Sequence, residues 1–360
     1  MSLNDASPLN GRDKKILIIG LGQIGYSNAE YMNSLGLNVD GYDISEKAVQ
    51  RALNAGVIQN RAKHFRDYDY YVICISTHKP DNMFMPFLDD LFQIARRLSY
   101  EGKRGALVAI DSTITRGTSN NVMKILEHKL HVAHVPHRFY INELAEHGVR
   151  QMRVLGGCKP CCVNEATHFY KDMLDMPLHI VKSIDIAELT KVVENSHRFM
   201  EIAFAEELKM VCDYSNTDFD ELRRAVNTKW NTKILEAQQG IGGHCLPKDS
   251  QMFLDFSKNI MPHSLLETAK MVDKRYRTHV SPHQSTTYVS GYESDDSQLS
   301  VHLTVETLSS LKKEFNITEA EIQSFLASII NKISGESPDK MRPLVFSKSE
   351  KNGLEEPTMV

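Results

Sequence analysis

The feature that most constrains the fold is a short apolar run that ends in spaced glycines. Lys15–Gly20 has the composition of a strand that is buried on both faces. It continues directly into Gly20-Leu-Gly22-Gln23-Ile24-Gly25, and a helical pattern follows to about Leu35. The glycines permit a tight turn and the close approach of a pyrophosphate, whose charge the helix N-terminus favours. The stretch from Gly20 through Gln23 and Ile24 to Gly25 therefore predicts the phosphate-binding turn of a dinucleotide-binding domain.

An acidic residue ends the second predicted strand, Leu37–Tyr42, and indicates which dinucleotide is bound. Asp43 follows this strand directly. A carboxylate there accepts hydrogen bonds from the ribose hydroxyls, and its charge repels a 2′-phosphate. We therefore expect NAD rather than NADP as the cofactor.

Strands and helices continue to alternate as far as residue 183, which predicts an α/β fold with a doubly wound, mainly parallel, Rossmann-type sheet. Ligands of such sheets lie beyond the carboxyl ends of the strands. Thr77 and Thr113 follow predicted strands there and are expected to contact the cofactor. A threonine after a strand is also a common helix cap, so this alternative stays open. The predicted strands are Tyr70–Thr77, Ala106–Asp111, His131–Val135, Met152–Gly156 and Leu178–Val181, and the predicted helices are Met85–Leu98, Arg116–His128 and Asn164–Leu174.

A long helix is predicted from Ile186 to about Cys212, because apolar residues recur there at helical spacing. Glu188, Lys191 and Asn195 share one face of this helix. By spacing alone they form a solvated polar stripe. The functional alternative is that Lys191 and Asn195 meet a substrate oxygen. Shorter helices are expected at about Phe219–Val226, Asp249–Phe256 and Ser264–Tyr276.

A glycine-rich stretch, Gly240–Asp249, carries the clearest candidate nucleophile. Gly242 and Gly243 leave room for a ligand, and Pro247 stiffens the exit of the loop. Asp249 follows Cys245 by four positions, so a helix that begins near Pro247 would hold its carboxylate close to the sulfur. A thiol on such a loop suits covalent chemistry at a carbonyl carbon. A single cysteine is also often a small buried hydrophobic residue.

The C-terminal part of the chain differs in character from the rest. We expect a polar linker at 281–302, a helical extension at 303–335 and a disordered tail at 336–360. Together with a flexible N-terminus at 1–13, a cofactor domain at 14–183 and a helical domain at 184–280, these are the predicted parts of the chain.

Composition excludes several classes of protein. The net charge of −4 gives no electrostatic reason to bind nucleic acid or an anionic membrane. The sequence has no apolar run of about 18 residues, so we expect a soluble cytoplasmic protein. Cys158-Lys-Pro-Cys161-Cys162 is a single CxxC motif and lacks the second ligand pair of a structural zinc site. We therefore expect no metal, and we expect Cys74 and Cys212 to lie in the core.

Five separate blocks together resemble the UDP-glucose/GDP-mannose dehydrogenase family, over roughly residues 14–280. This order of blocks is far more specific than any one of them. The blocks are the glycine fingerprint with Asp43, Cys74-Ile-Ser-Thr77, Asp111-Ser-Thr113-Ile-Thr-Arg-Gly-Thr118, Ala187-Glu-Leu-Thr-Lys191-Val-Val-Glu-Asn195-Ser-His-Arg198 and Gly242-Gly243-His-Cys245-Leu-Pro-Lys-Asp249.

The resemblance implies NAD-dependent oxidation of a nucleotide-sugar alcohol to a uronic acid. It implies that Asp249 and Lys191 hold the water that takes the alcohol proton, with Thr113 nearby. The Cys245 thiolate then attacks the aldehyde, and a second hydride transfer leaves a thioester that water hydrolyses. Lys191 and Asn195 would stabilise the oxyanion, and Gly242 and Gly243 would line the sugar site. A homodimer through the long helix is also implied.

Two departures from the family pattern bear on these implications. The family has a Pro-Glu pair whose glutamate helps to activate the hydrolytic water, whereas this chain has Pro136-His137. Histidine can also act as a base, so His137 is the candidate for that role. In addition, no βα alternation follows Val280, where the family has its nucleotide-gripping domain. Either the substrate is not a nucleotide sugar, or another chain completes the site, or the chain is a truncated relative.

Two alternatives remain open from the sequence. A single-step β-hydroxyacid dehydrogenase uses the same cofactor domain and a similar lysine–asparagine pair, but it needs no cysteine. A non-catalytic or partner-dependent NAD-binding protein is a different class, in which the C-terminal helices would bind another chain. Rapid, ligand-protected alkylation of Cys245 distinguishes an enzyme with an activated thiol from a scaffold.

Overall fold

A computed structural model describes residues 13–79, 82–138, 148–243, 245–261 and 263–280. The chain divides into two compact units, residues 1–274 and 275–360, and the account below concerns the first. The predicted linker, C-terminal helices and tail lie outside the described residues, as does almost all of the predicted flexible N-terminus. Among the described residues, no helix is both long and apolar enough to span a membrane.

A seven-stranded sheet forms the centre of the first unit and confirms the predicted fold class. Its strand order is β2-β1-β3-β6-β7-β8-β9, and every neighbouring pair is parallel except β7 and β8. A separate hairpin of β4 and β5 follows β3. The strands are β1 (Lys15–Ile19), β2 (Asn38–Tyr42), β3 (Tyr70–Ile73), β4 (His78–Lys79), β5 (Asn82–Pro86), β6 (Leu107–Ile110), β7 (His131–His134), β8 (Arg153–Gly157) and β9 (Leu178–Ile180).

Helices cover both faces of the sheet because successive residues of its central strands are apolar and point to opposite sides. Ile16 and Ile18 pack in one buried cluster, and Leu17 and Ile19 pack in the other. The helices are α1 (Gln23–Ser34), α2 (Glu46–Asn54), α3 (Asp89–Glu101), α4 (Thr118–Ile125), α5 (Pro160–Thr167, continued by a π-helical turn at His168–Met173), α6 (Ile184–Tyr214), α7 (Phe219–Val226), α8 (Cys245–Ser257) and α9 (Leu265–Val280).

Between β2 and α3, two predicted elements had wrong bounds and one helix was missed. The strand predicted at Tyr70–Thr77 ends at Ile73, and Met85 lies in the β4–β5 hairpin rather than in a helix. Helix α3 begins only at Asp89, where Asp89 and Asp90 place negative charge in its first turn. Helix α2 was not predicted, although the Ser45 hydroxyl caps it by accepting from the Ala48 N–H at 3.3 Å.

The long helix α6 confirms the predicted change of pattern at Ile184 and is capped by the Ser183 hydroxyl. That a separate domain begins there stays a prediction. Phe199 and Ala203 on α6 pack with Leu254 of α8 and Leu266 of α9 in a third buried cluster. Helix α8 begins at Cys245 and not near Pro247 as predicted, so Cys245 belongs to its first turn. As expected, Cys74 and Cys212 are buried.

Candidate active site

The glycine fingerprint forms a turn that admits no side chain at two of its positions. Gly20 has φ of +96°, and a Cβ there would lie 2.6 Å from the Cys74 carbonyl oxygen. A Cβ on Gly25 would lie 1.8 Å from the Gly20 carbonyl oxygen. Only glycine therefore lets β1, the turn and α1 pack together at these positions.

Steric crowding does not explain the glycine at position 22, because a Cβ on Gly22 would meet no atom within 4 Å. It occupies the N-cap of α1 and, having no side chain, leaves the N-terminus of the helix uncovered. Gly22 and Gln23 are exposed, and Ile24 is half-buried. An uncovered helix N-terminus with room above it fits an anionic group such as a pyrophosphate.

Asp43 lies beside this turn at the end of β2. Its carboxylate accepts from the Leu21 N–H at 2.6 Å and from the Ser45 N–H at 2.7 Å. The residue is half-exposed, so its oxygens remain open to further donors. The structure thus places the predicted acid next to the predicted phosphate site, which fits the adenosine ribose of a dinucleotide.

Thr77 and Thr113 come together across the carboxyl ends of β3 and β6. The buried Thr77 hydroxyl donates to the Thr113 carbonyl oxygen at 2.8 Å. Neither residue caps a helix, which was the alternative reading of both. The contact ties the two loops into one wall of the crevice where a Rossmann-type sheet binds ligands.

Lys248 is a site residue that the sequence reasoning missed. Its side chain is buried, its Nζ donates to the Thr77 hydroxyl at 3.1 Å, and the same Nζ lies 2.6 Å from Asp249 Oδ1. One ammonium thereby connects α8 to the wall of the cofactor crevice. Lys248 lies in the block Gly242–Asp249 that resembles the family, so the sequence offered a reason to consider it. It was passed over because most lysine side chains are exposed to solvent.

Asp249 contacts Asn195 and Lys248, whereas the resemblance implied that it acts together with Lys191. The Asn195 amide donates to Asp249 Oδ2 at 2.5 Å, while Lys248 is paired with Oδ1. The carboxylate is buried, so these two partners offset much of the cost of its desolvation. The pair places a fixed acceptor next to the face of α6 that carries Lys191 and Asn195.

The first residue of α8, Cys245, lies on the same helical face as Asp249, four residues further on. The residue is exposed, yet burial of the thiol by surrounding protein is the largest cause that raises its pKa, followed by the charge of Asp249. The ammonium groups of Lys248 and Lys191 act in the opposite direction. The expected effect of Lys191 is therefore present, but burial and Asp249 outweigh it and the thiol pKa rises.

Replacing Asp249 with asparagine is expected to increase the alkylation rate of Cys245 at pH 7. The substitution removes a negative charge that raises the thiol pKa. A larger thiolate fraction then reacts with iodoacetamide, by about twofold or more. Asp255→Asn, an exposed position on the same helix, is the matched control. Alkylation that is unchanged or slower in a folded Asp249→Asn protein would contradict this electrostatic account.

His137 lies just beyond the end of β7 and is buried. Its backbone N–H donates to the Asp111 carbonyl oxygen at 3.2 Å. Burial lowers the pKa of its imidazole well below the usual value, and the charges of Arg153 and Lys191 lower it further. The ring is therefore neutral near pH 7. The charge of Lys191 acts on both His137 and Cys245.

A buried ionic network supports the loops of the site from below. Arg153 Nη1 donates to Asp111 Oδ2 at 3.1 Å, and both side chains are fully buried. The same carboxylate accepts from Asn28 at 2.9 Å and from the Tyr170 hydroxyl at 2.5 Å. Burial raises the pKa of Asp111, and the Arg153 charge opposes that rise. The network thereby holds Asp111 in place, and Asp111 begins the loop that carries Thr113.

Glu188 does not belong to the site, although it shares a helical face with Lys191 and Asn195. It is fully buried and accepts from the Gly117 N–H at 2.6 Å and the Ser119 N–H at 2.7 Å. It thus caps the N-terminus of α4 from α6. The solvated stripe expected from spacing alone was wrong for this position.

The two substrate-loop glycines precede α8. Gly242 and Gly243 are exposed, Gly243 has φ of +71°, and a Cβ on either would meet no atom within 4 Å. The loop therefore borders open space next to Cys245, which leaves room for a ligand. His244 lies outside the described residues.

The helical part of the chain matches the model of a known protein family. Residues 185–275 match the UDP-glucose/GDP-mannose dehydrogenase family, central domain. This range contains Lys191, Asn195, Cys245 and Asp249, which are the side chains that the structure brings together.

Curated relatives match a larger part of the chain. The UDP-N-acetyl-D-mannosamine dehydrogenase of Pyrococcus horikoshii is 28% identical over 72% of this chain and 68% of its own length. An enzyme of the same name from Methanococcus maripaludis is 27% identical over 68% of this chain and 62% of its own length. The chain thus spans about two thirds of the length of these relatives.

A solved structure supports the same relation. The structure of the UDP-D-ManNAc dehydrogenase from Pyrococcus horikoshii superposes with a TM-score of 0.64 at 26% identity, covering 74% of this chain and 69% of the other.

Proposed function

Because the chain is related, through the central domain at residues 185–275, to the UDP-glucose/GDP-mannose dehydrogenase family, we propose that it is a cytoplasmic NAD-dependent dehydrogenase. Its substrate would be the primary alcohol of a sugar, best fitted by a UDP-sugar, and its product the uronic acid. The observation that carries the proposal is the convergence of Cys245, Asp249, Asn195 and Lys191 beside a dinucleotide crevice.

Binding of NAD falls to the glycine turn and its neighbours. The uncovered N-terminus of α1 at Gly22 and Gln23 would hold the pyrophosphate. Asp43 would accept from the adenosine ribose hydroxyls. Thr77, Thr113 and Lys248 would line the crevice towards the reacting end. When bound, NAD supplies a nicotinamide ring that accepts a hydride from the substrate carbon.

Asp249 and Lys191 carry the first half-reaction. The Asp249 carboxylate, already oriented by Asn195 and Lys248, would hold a water that receives the alcohol proton as hydride leaves the carbon. The Lys191 ammonium and the Asn195 amide would stabilise the negative charge on the oxygen, where one lost donor costs on the order of 100-fold in rate. The product of this half is the aldehyde.

Cys245 carries the second half-reaction. Its sulfur would add to the aldehyde carbon while the carbonyl oxygen takes up a proton in place of the one lost by the thiol. Loss of the hydroxyl proton and of a second hydride from the same carbon, for which a second NAD would be the acceptor, would then give a thioester. Water adds to the thioester, the carbon–sulfur bond breaks, and the uronic acid and the thiol are formed. Burial and the charge of Asp249 raise the pKa of the thiol. Ionisation of the thiol therefore depends on the ammonium groups of Lys248 and Lys191, which act in the opposite direction.

Thioester hydrolysis would rely on His137 where the family has a glutamate. The imidazole is neutral near pH 7, so it can accept a proton from the attacking water. Its lowered pKa also makes it a weak base, because Brønsted behaviour links proton-accepting power to pKa. Hydrolysis is therefore the step that this chain would catalyse least well.

A substrate screen tests the proposal against its two alternatives. The protein is incubated with NAD and a panel of UDP-sugars, GDP-sugars and β-hydroxyacids, and products are identified by mass spectrometry. A uronic acid from a nucleotide sugar supports the proposal. Turnover of a β-hydroxyacid alone favours the single-step dehydrogenase, in which Lys191 and Asn195 suffice. No turnover with NAD still bound favours a non-catalytic or partner-dependent relative.

The surface of α6 supports a homodimer. Ile186, Val193, Phe204 and Val211 are each about half exposed and form one straight stripe, because spacings of seven and eleven residues are close to whole helical turns. A row of exposed apolar side chains is typical of an interface. We therefore propose that this row pairs with the same row on a second copy of the chain.

Replacing Phe204 with glutamate is expected to convert the dimer to a monomer. A charge in the centre of an apolar interface is desolvated without a partner, which costs several kcal/mol of association energy. Ile44→Glu is the control, since Ile44 is highly exposed and lies outside the stripe. Light scattering measures the mass, and a wild-type protein with the mass of a monomer would refute the dimer.

A further inference from the structure

One histidine and two cysteines lie together at the edge of the sheet opposite to the candidate active site. His131 is the first residue of β7, and Cys161 and Cys162 occupy the first turn of α5. One ligand atom from each residue lies within 4.8 Å of the other two. We name this group the β7–α5 cluster. The active site lies at the carboxyl ends of the parallel strands, whereas His131 lies at the amino end of β7, so the two groups are separate.

We propose that the β7–α5 cluster is a zinc site with His131, Cys161 and Cys162 as its ligands. Zinc is bound in proteins by thiolates at about 2.3 Å and by imidazole at about 2.0 Å, in tetrahedral geometry. Ligand atoms in such a site are roughly 3.5–3.8 Å apart. A contraction on the order of 1 Å therefore closes the cluster around one ion.

The local structure favours zinc over other ions. Two sulfurs and one nitrogen form a soft set that magnesium and calcium do not use. Cys162 is fixed against β7 because its Sγ accepts from the Val132 N–H at 3.4 Å. Cys161 is exposed, so the ion has an entry path and a fourth position open to water or another ligand.

Cys158 is not among the proposed ligands, although it belongs to the same CxxC motif. Its thiol points to the Ser119 carbonyl oxygen at 3.6 Å. The CxxC motif therefore supplies one ligand, Cys161, and the second sulfur ligand is the adjacent Cys162 rather than Cys158. The sequence expectation of no metal rested on the lack of a second ligand pair, and it overlooked His131 on the neighbouring strand.

Zinc titration of the full-length protein tests the site. A Cys245→Ser background removes the candidate catalytic thiol, and a phosphine reductant keeps the adjacent cysteines reduced. We expect one zinc per chain with a Kd on the order of 1 µM or tighter. Cys161→Ser and His131→Gln should each weaken binding by about tenfold or more. Cys212→Ser and His179→Gln, which leave the cluster intact, should bind as the parent does.

Cobalt provides a second readout that a general loss of stability would not imitate. Cobalt bound to the parent should show a thiolate charge-transfer band in the near ultraviolet, and Cys161→Ser should reduce it by about half. Circular dichroism confirms that each variant is folded. Zinc binding of equal affinity in parent, Cys161→Ser and His131→Gln would overturn the proposal. So would a parent protein that binds no zinc at 100 µM, a generous concentration on the order of 100 times the expected Kd.

Discussion

Replacing Cys245 with serine is expected to abolish uronic acid formation while NAD-dependent oxidation to the aldehyde continues. The serine hydroxyl is far less nucleophilic than the thiolate. Loss of a nucleophile lowers turnover of the covalent step by on the order of a thousandfold or more. Asp249, Asn195 and Lys191, which serve the first half-reaction in the proposed scheme, remain in place. The aldehyde, trapped as its hydrazone, is the quantity to measure.

Cys212→Ser is the matched control, because Cys212 is buried near the end of α6 and has no place in the site. It should form acid at the wild-type rate if it stays folded. Undiminished acid formation by Cys245→Ser would remove the covalent scheme. Equal loss of aldehyde and acid would assign Cys245 to substrate binding rather than to the second oxidation.

Replacing Arg153 with methionine is expected to reduce the free energy of unfolding by about 3–5 kcal/mol. Arg153 and Asp111 form an ion pair in which both side chains are fully buried. Removing the guanidinium leaves a buried carboxylate with hydrogen bonds from Asn28 and Tyr170 but no opposite charge. Methionine keeps much of the volume, so the lost charge and not a cavity dominates the change. Urea denaturation measures the free energy.

Two further variants separate the ion pair from general disruption. Arg150→Met removes an exposed pair with Asp175 and should cost less than about 1 kcal/mol. In the double variant Asp111→Asn/Arg153→Met, the uncompensated charge is gone, and much of the lost stability should return. A double variant that is as unstable as the sum of the two single variants would show that packing, and not charge, explains the effect.

The sequence was informative where one local pattern permits one structure. Gly20 and Gly25 are required by the backbone that surrounds them, and the strand–glycine–helix order predicted the cofactor crevice with its acid at Asp43. The long helix and the cysteine loop were recognised for the same reason. The five blocks in a fixed order pointed to the family, which no single block does.

The sequence was uninformative where a residue's partner is distant along the chain. In the sequence, Lys248 and Glu188 look like solvated charges. Only the fold shows that Lys248 contacts Thr77 and Asp249 and that Glu188 caps α4. The β4–β5 hairpin was missed because its apolar residues suit a helix equally well. His131 meets Cys161 and Cys162 only because α5 begins beside β7.

The measurement that tests the central claim most directly is the number of NADH molecules formed per sugar consumed. A limiting amount of the nucleotide sugar identified by the screen is converted to completion with excess NAD, and NADH is read from its absorbance. The proposed scheme removes two hydrides from one carbon, so the ratio should be two. A ratio of one, with aldehyde as the end product, would contradict the role of Cys245 in a second oxidation and would favour a single-step dehydrogenase.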